Sequence, residues 1–266
     1  KADLIPLLEA CMAGKEAEGS IIDISAASEY ESLHIEKQKE HTRAFIKVQD
    51  GCSQFCSYCI IPYTRGRVRS RRPEDVETEV RALAQKGYRE VVLTGIHLSS
   101  YGVDFKEESI DFLSLIKRLN KLEGIERIRF GSLEPRVITE EFVKELSGMK
   151  KICPHFHLSL QSGCDETLKR MNRHYTCGEY YERCRILRKY FKNPAITTDV
   201  IVGFPAETEE EFAISEEFLK KVNFYEMHVF KYSRRAGTRA DRMPDQVPEK
   251  EKTERSARLL MLEKEM

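Results

Sequence analysis

The 266-residue sequence lacks several features that would have suggested other classes of protein. It has no net charge, since 44 basic residues balance 44 acidic ones, which argues against a protein that coats nucleic acid over its whole surface. No apolar run approaches the roughly 20 residues that a membrane-spanning helix needs, so we expect no membrane association. Residues 1–3 resemble neither a secretory signal nor a transit peptide and lack an initiator methionine, so we interpret the chain as part of a longer protein.

The cysteines do not form the dense pattern of a small disulfide-bonded scaffold, because only eight occur in this long chain. Five of them are scattered singly, and the other three lie close together. This usage predicts a protein of the reducing cytoplasm. The content of 41% hydrophobic and 33% charged residues is typical of a globular protein.

Short apolar or β-branched runs alternate with segments of helical period along most of the chain. The predicted strands are 44–49, 90–94, 127–132, 155–160, 195–202 and 225–230. Six repeats of strand and helix predict an α/β protein with a parallel sheet, and we expect a partial (β/α)6 barrel. Outside this repeat, the sequence predicts one possible strand at 21–25 and a charged helix at 248–266.

Helix boundaries are predicted from residues with known positional preferences. Pro73 is well placed in the first turn of a helix. Thr139 and Asp165 are predicted N-caps, and Thr208 with Glu211 fits a capping box.

The clustered cysteines, Cys52, Cys56 and Cys59, follow the first predicted barrel strand with the spacing C-x3-C-x2-C. Iron–sulfur clusters of the ferredoxin type have four cysteine ligands, so three thiolates would leave one iron open to an exchangeable ligand. The alternatives are a zinc site completed by His41 or His97, or three unconnected buried cysteines. The missing second C-x2-C pair argues against zinc. The position at the carboxyl end of a strand, where barrel enzymes bind their substrates, favours the cluster.

Five arginines crowd into a short segment after the cysteines. They are Arg65, Arg67, Arg69, Arg71 and Arg72. So many like charges suit contacts with the phosphates of an RNA. The alternative is a flexible, solvated loop.

Several motifs resemble those of the methylthiotransferase branch of the radical S-adenosylmethionine (SAM) superfamily. They are GCSQFCSYCIIPYTRGRVRSR at 51–71, TGIHLSSYG at 94–102, HLSLQSG at 157–163, MNR at 171–173, TDVIVGFP at 198–205 and FKYSR at 230–234. The resemblance covers roughly residues 42–262. It implies that Cys52, Cys56 and Cys59 hold a [4Fe–4S] cluster whose open iron binds SAM.

The resemblance also implies a set of SAM-binding residues at the ends of the barrel strands. Tyr58 would lie near the adenine, although it could instead anchor the loop. Gly95 would allow the backbone to approach the SAM amino group, although it could be a simple turn glycine. Arg173 would pair with the SAM carboxylate, unless it is a solvated arginine at a helix end.

Four more polar residues lie at or near strand ends, where they would contact the ribose and methionine parts of SAM. They are Ser132, Glu134, Gln161 and Asp199. Each could instead be a hydrogen-bonded structural group.

The resemblance is greatest to the branch that methylthiolates C2 of N6-threonylcarbamoyladenosine beside the tRNA anticodon. Its relatives modify isopentenyl-adenosine in tRNA or an aspartate of a ribosomal protein, and both remain alternatives. A non-catalytic iron–sulfur or zinc module that binds RNA is an alternative of another class. The expected partners are the tRNA anticodon loop and a reductant such as a flavodoxin or ferredoxin.

The resemblance implies three regions. Residues 1–43 would be the remnant of an amino-terminal methylthiotransferase domain and a linker, and residues 44–235 the radical SAM core. Residues 236–266 would lead to an RNA-binding module that this chain lacks. A second [4Fe–4S] cluster is expected only in the intact protein, so the chain would hold the radical-generating half of the enzyme.

Overall fold

The computed structural model describes residues 4–14, 23–27, 29–31, 42–106 and 109–266. Strands in these ranges are β1 (Ala44–Asp50), β2 (Arg69–Ser70), β3 (Glu90–Gly95), β4 (Arg127–Phe130), β5 (His155–His157), β6 (Ala195–Val202) and β7 (Glu226–Lys231). Helices are α1 (Leu4–Met12), α2 (Ile61–Thr64), α3 (Pro73–Gln85), α4 (Phe112–Asn120), α5 (Glu140–Ser147), α6 (Asp165–Arg170), α7 (Cys177–Tyr190), α8 (Glu209–Val222) and α9 (Glu249–Glu265).

The strands form two sheets that join into one curved wall. The first has the order β2-β1-β3-β4 and the second the order β5-β6-β7. All neighbouring pairs are parallel except β2, which lies antiparallel to β1 at the edge. Parallel bridges from Ile128 to Ile152 and from Leu133 to Leu158 connect the two sheets. Parallel strands therefore follow one another in chain order, and the prediction of a partial (β/α)6 barrel is confirmed.

The strands alternate between a helix-covered outer face and an inner face. On β6, Thr198 and Val200 are fully buried, and the Thr198 hydroxyl donates to Leu158 O beneath Tyr180 of α7. Because side chains alternate with period two, Asp199 points to the opposite side, towards the barrel interior, where it remains partly exposed. The inner face is therefore where polar groups can meet a ligand.

Most of the predicted helix boundaries are confirmed. Thr139 accepts a hydrogen bond from Phe142 N, Thr208 and Glu211 form a reciprocal capping box, and Pro73 is the first residue of α3. The prediction for Asp165 is wrong, because the N-cap of α6 is Cys164 and Asp165 is the first helical residue. The Asp165 carboxylate instead accepts a hydrogen bond from Cys177 N at 2.6 Å, which joins α6 to the start of α7.

The segments outside the barrel differ in how well they were predicted. A strand was considered possible at 21–25, and residues 21 and 22 of it lie outside the described residues. For the rest of that segment the prediction of a strand is wrong, since Ile24–Ala26 forms a 3-10 turn. The charged tail forms α9 as predicted, and it packs against β7. None of the helices in the described ranges is long and apolar enough to cross a membrane.

Candidate active site

The cysteine loop begins with a sharp reversal of the chain after β1. Gly51 has φ of 71°, and a Cβ at this position would lie 1.8 Å from the carbonyl oxygen of Arg67. Only glycine fits this close approach. Immediately afterwards, Cys52 N donates to Gly66 O at 3.0 Å. The backbone contacts between 51–52 and 66–67 close the loop at its base.

The far side of the loop is fixed to the end of α6. Ser57 N donates to Met171 O at 3.0 Å, and the Ser57 hydroxyl donates to Arg170 O at 2.8 Å. The Asn172 side-chain amide donates to Phe55 O at 2.9 Å. These contacts join residues more than 110 positions apart in sequence, so the loop is held rigidly over the barrel.

A pocket of about 620 Å³ lies beneath this loop at the carboxyl ends of the strands. The predicted residues that line it are Cys52, Cys56, Tyr58, Cys59, Ser132, Glu134, Gln161 and Arg173. Lining residues that the sequence analysis did not identify as ligand-binding are Gln54, Ile61, Ile96, Leu133 and Ser159, together with His97, which had been considered only for zinc. The structure therefore brings together all but two of the predicted cluster and SAM residues.

The three thiols form a donor set suited to a metal cluster. Burial raises the pKa of Cys52 and of Cys59, and the neighbouring Cys56 raises both further. Three thiolates that line one pocket need compensating positive charge, which the irons of a cluster provide. No fourth cysteine lines the pocket, so these residues fit a [4Fe–4S] cluster with one iron left open.

Arg173 contributes positive charge beside the thiols. Its Nη1 donates to Cys56 Sγ at 3.2 Å, and its Nε donates to Tyr175 Oη at 3.0 Å. Burial would lower the pKa of Arg173, but Tyr175 and Tyr58 outweigh it and hold the pKa above its ordinary value. Arg173 thus lines the pocket as a fixed cation, not as a solvated arginine at a helix end.

Tyr58 is packed against a buried cluster and also lies on the pocket wall. Its ring meets Phe204 edge-on at 6.4 Å and packs against the buried side chains of Met171 and Tyr232. It also lines the pocket between Cys56 and Cys59. The tyrosine therefore anchors the loop from a position on the pocket wall, and its contact with the adenine stays a prediction.

The opposite wall is formed by the segment that follows β4. Glu134 N donates to Ser99 Oγ at 2.9 Å, and the Glu134 carboxylate accepts from Arg136 Nε at 2.7 Å. Arg136 in turn donates to Gln54 Oε1 at 3.0 Å, which links this wall to the cysteine loop. Ser132 lies exposed at the rim.

Gly95 is not among the lining residues. A Cβ there would lie 3.0 Å from Gln49 Oε1 and 3.1 Å from Leu98 Cδ2. Gln49 Oε1 also accepts a hydrogen bond from His97 N at 2.7 Å. Because Gly95 has no side chain, Gln49 has room to make this bond, which positions the turn that follows β3. Packing thus accounts for the glycine, while its neighbours Ile96 and His97 reach the pocket.

His97 lines the pocket as a neutral imidazole. Burial, aided by the nearby charge of Arg173, lowers its pKa to about 4. Its Nδ1 contacts Ser100 Oγ at 2.7 Å, while the buried Nε2 has no hydrogen-bond partner in the described part of the chain. The other histidine considered for zinc, His41, lies outside the described residues.

Asp199 does not line the pocket directly. Its Oδ2 accepts from His157 Nε2 at 3.1 Å and from Ser159 Oγ at 3.2 Å. Ser159 belongs to the pocket wall, so Asp199 is separated from the pocket by one side chain. The prediction that Asp199 contacts SAM itself is therefore not supported by its position.

The arginine-rich segment divides into buried and exposed residues. Arg71 is buried in an ion pair with Glu79 of α3, and Arg69 is buried beside Asp50, 3.9 Å away. The prediction that these two contact RNA is therefore wrong for this conformation. The spacing did not reveal this, because the burial of the two arginines depends on their partners Asp50 and Glu79 on other elements of the fold.

The other arginines of this segment remain accessible. Arg67 is exposed, with its guanidinium 4.7 Å from the centre of the Phe55 ring. Arg72 is exposed above Phe105, and Arg65 is half-buried 3.3 Å from Asp50. Arg65, Arg67 and Arg72 are the arginines of this segment that an anion could reach.

Sequence reasoning missed the residues that position the ligands. Asn172 and Ser159 lie within the MNR and HLSLQSG motifs, so the motifs contained the signal. Gln49 precedes the cysteine loop and Gln54 lies within it, but no motif spacing marks their contacts. Their partners, His97 and Arg136, are distant in sequence.

The partial barrel, the three-thiol loop and the pocket at the strand ends define an enzyme that uses an iron–sulfur cluster. The family model described as "Radical SAM superfamily" matches residues 46–219, and the chain belongs to this superfamily. The family implies a [4Fe–4S] cluster and SAM as cofactors.

Comparison with curated proteins identifies related tRNA-modifying enzymes. The chain is 46% identical over 243 residues to threonylcarbamoyladenosine tRNA methylthiotransferase MtaB of Bacillus subtilis, covering 91% of this chain and 53% of that protein. It is also 46% identical over 227 residues to tRNA-2-methylthio-N(6)-dimethylallyladenosine synthase of a Thermoanaerobacter species, covering 85% of this chain and 48% of that one. The chain therefore spans about half the length of the curated relatives it matches.

Solved structures support the fold. The radical SAM methyltransferase TsrM of Kitasatospora setae, solved with cobalamin and a [4Fe–4S] cluster, matches with a TM-score of 0.62 and 16% identity, over 74% of this chain and 38% of that chain. Coproporphyrinogen III oxidase HemN of Escherichia coli matches with a TM-score of 0.56 and 17% identity, over 83% of this chain and 51% of that chain.

Proposed function

We propose that this chain is the radical-generating part of a tRNA methylthiotransferase. The expected reaction adds a methylthio group to C2 of N6-threonylcarbamoyladenosine beside the anticodon. The observation that carries the proposal is a pocket lined by three thiols and Arg173, in a chain 46% identical to MtaB over 91% of its length.

The residues of the chain have separate roles in this proposal. Cys52, Cys56 and Cys59 hold the cluster, and Arg173 lies beside it as a permanent cation. When bound, the cluster and SAM supply the electron transfer and the radical chemistry. The protein orients SAM against the pocket walls and excludes water from it.

The SAM contacts follow from the two walls of the pocket. Tyr58 offers its ring to the adenine, since the ring is already oriented by Phe204. Gln161 and Ser132, at strand ends, suit the hydroxyl and amino groups of the ligand. Glu134 is held in place by Arg136, so its carboxylate is a preorganised acceptor for the ribose hydroxyls.

The RNA contacts lie outside the pocket, on the accessible arginines. Arg65, Arg67 and Arg72 would contact phosphates of the anticodon loop, whose single-stranded bases can be splayed out of their stack. Because tRNA and a reductant such as flavodoxin or ferredoxin are its expected partners, we place the enzyme in the cytoplasm. The same proposal includes a division of the chain into three regions, at 1–43, 44–235 and 236–266. It also includes a second [4Fe–4S] cluster in the intact protein.

A second candidate is the methylthiolation of N6-dimethylallyladenosine, also called isopentenyl-adenosine. The relative with that printed name is equally identical, at 46%. A protein substrate has less support, because neither of these two relatives modifies a protein. A non-catalytic zinc or iron–sulfur module does not account for the pocket beside the thiols.

Mass spectrometry of nucleosides tests the proposal. We expect tRNA from cells that lack the gene for this protein to lose 2-methylthio-N6-threonylcarbamoyladenosine, and the intact gene to restore it. Loss of the methylthio-dimethylallyl nucleoside alone would favour the second candidate. Unchanged levels of both would contradict a tRNA substrate.

A further inference from the structure

The second half of the barrel carries a polar cluster that the reaction pocket does not include. His157 of β5, Asp199 of β6 and His228 of β7 each present a ligand atom within 4.8 Å of the others. Asp199 and His228 are direct partners in the register of β6 and β7. The two imidazole rings stack with centroids 5.7 Å apart and an angle of 25° between their planes. The cluster thus occupies one level of the barrel's inner face.

One side of the cluster is fixed by hydrogen bonds. The two nitrogens of His157 contact Thr197 Oγ1 at 2.9 Å and Asp199 Oδ2 at 3.1 Å. Burial alone would raise the pKa of Asp199, but the hydrogen bonds from His157 and Ser159 outweigh it and lower the pKa, so the group is a carboxylate. His157 and Asp199 are therefore a preorganised support, already occupied by protein contacts.

The other side of the cluster is open. His228 is exposed, and its ring makes no hydrogen bond within the described part of the chain. Phe230, two residues further along β7, is 53% exposed on the same face. An imidazole with free nitrogens beside an accessible aromatic ring suits a ligand that has both polar groups and a flat base.

The cluster adjoins the reaction pocket. Ser159 lines the pocket and also donates to Asp199 at 3.2 Å, so one side chain separates the two sites. A nucleoside whose base reaches the pocket would therefore place a substituent of that base near His228.

We propose that His228, supported by Asp199 and His157, recognises the substituent on N6 of the target adenosine and selects a polar, acylated group over an apolar one. This inference rests on the proposed function. A threonylcarbamoyl group carries carbonyl, hydroxyl and carboxylate oxygens that an imidazole N–H can bind. A dimethylallyl group carries none and would leave the His228 imidazole unpaired against hydrocarbon, which disfavours it. His228 is thus a specificity-determining residue, and His157 and Asp199 are positioning residues.

The test uses the intact enzyme that contains this chain, reconstituted with its clusters. The substrates are anticodon stem-loop RNAs that carry N6-threonylcarbamoyladenosine or N6-dimethylallyladenosine. His228→Leu removes the hydrogen-bonding groups, and His228→Gln keeps a donor and an acceptor. Glu226→Gln, on the same strand but further from the pocket, is the matched control.

We expect His228→Leu to lower kcat/KM for the threonylcarbamoyl RNA by about 10-fold to 100-fold, the size of one or two lost hydrogen bonds. The same variant should also reduce the enzyme's preference for the threonylcarbamoyl RNA over the dimethylallyl RNA, measured as the ratio of the two kcat/KM values. His228→Gln should recover most of the loss, and Glu226→Gln should match the wild type. Release of 5′-deoxyadenosine without RNA should be unchanged in all three variants, which separates recognition from damage to the SAM site.

Two results would overturn the inference while leaving the proposed function intact. One is that the wild-type enzyme prefers the threonylcarbamoyl RNA and the His228→Leu variant keeps the same ratio of kcat/KM values for the two RNAs. The other is one zinc or other divalent ion per chain, additional to the cluster irons, that is lost in His228→Leu, because the three side chains would then be metal ligands. A wild-type enzyme inactive on the threonylcarbamoyl RNA would instead refute the proposed function, and this inference with it.

Discussion

Arg173 donates a hydrogen bond from Nη1 to the Sγ of Cys56 across 3.2 Å, although the two residues are 117 positions apart in sequence. The contact places a fixed positive charge against the middle cysteine of the C-x3-C-x2-C loop. Hydrogen bonds to cysteine sulfur and local charge both tune iron–sulfur clusters. Under the proposed function, Arg173 would act on a sulfur ligand of the cluster as well as on the pocket that would receive SAM.

Replacing Arg173 should change the cluster electronically. In Arg173→Ala, loss of the cation and its hydrogen bond should move the reduction potential of the reconstituted cluster to a more negative value, because both stabilise the added electron. Arg173→Lys keeps the charge without the planar guanidinium and should lie between the alanine variant and the wild type. Redox titration followed by electron paramagnetic resonance measures the shift. Identical potentials in all three proteins would refute this role for Arg173.

Asn172 should be needed to keep the cluster loop closed. Its backbone has φ of 57° and its side chain donates to Phe55 O. Asn193, with φ of 48°, provides a control with the same backbone conformation just before β6. Alanine at either position should cost about 1–2 kcal/mol in the free energy of unfolding, since it lacks the short polar side chain that helps Asn adopt the left-handed conformation.

The two asparagine variants should differ in how fast they lose iron. Asn172→Ala removes one of the contacts that hold the cysteine loop to the end of α6, so a chelator should remove iron from this variant faster than from Asn193→Ala. Absorbance of the iron–chelator complex over time measures the rates. Equal rates in the two variants would show that the contact with Phe55 does not hold the loop.

Arg71 should stabilise the fold, whereas Arg67 should not. Arg71→Met removes the guanidinium from the buried Glu79 carboxylate and should lower the free energy of unfolding by about 3–5 kcal/mol. Arg67→Ala changes an exposed side chain and should alter it by no more than about 0.5 kcal/mol. Urea denaturation of the two variants makes the comparison. A loss in Arg71→Met as small as that in Arg67→Ala would mean that Arg71 is not buried in solution.

Glu90 should contribute to stability in a pH-dependent way. Burial would raise the pKa of Glu90, but hydrogen bonds from Arg127 and Arg129 outweigh it, so the folded-state pKa lies below the ordinary value of 4.5. A lowered pKa stabilises the folded protein above about pH 4.5, and the contribution is lost as the pH falls through the folded-state pKa.

Urea denaturation across pH tests this assignment. Glu90→Gln should be less stable than the wild type at pH 7, and the difference should shrink below pH 4, while the exposed Glu126→Gln should follow the wild type throughout. If the difference in the free energy of unfolding between Glu90→Gln and the wild type stayed constant from pH 7 to pH 3, the lowered pKa of Glu90 would be contradicted.

The barrel and the cysteine site were predictable because their signals are local. Most strands lie within apolar or β-branched runs between turn residues, and β6 occupies 195–202 as expected. The cysteine spacing likewise places three candidate ligands in one short loop. Motifs at successive strand ends predicted most of the pocket, since parallel strands bring those ends together.

The remaining features depend on contacts that no local pattern encodes. Arg71 and Arg67 look alike in sequence, and only the position of Glu79 on α3 makes Arg71 a buried residue. Asp165 looks like an N-cap, but its carboxylate is engaged by Cys177 N of the next helix. The accessible imidazole of His228 could not be predicted, because only the register of β6 and β7 places this residue beside Asp199.

The central claim is that Cys52, Cys56 and Cys59 hold a cluster that cleaves SAM, and anaerobic reconstitution tests it most directly. The sample is this chain with excess iron and sulfide, assayed for bound metal and for 5′-deoxyadenosine released from SAM by dithionite. We predict about four irons per chain, as in one [4Fe–4S] cluster, and dithionite-dependent 5′-deoxyadenosine, both lost in Cys56→Ala. One tightly bound zinc per chain with no 5′-deoxyadenosine would contradict the account.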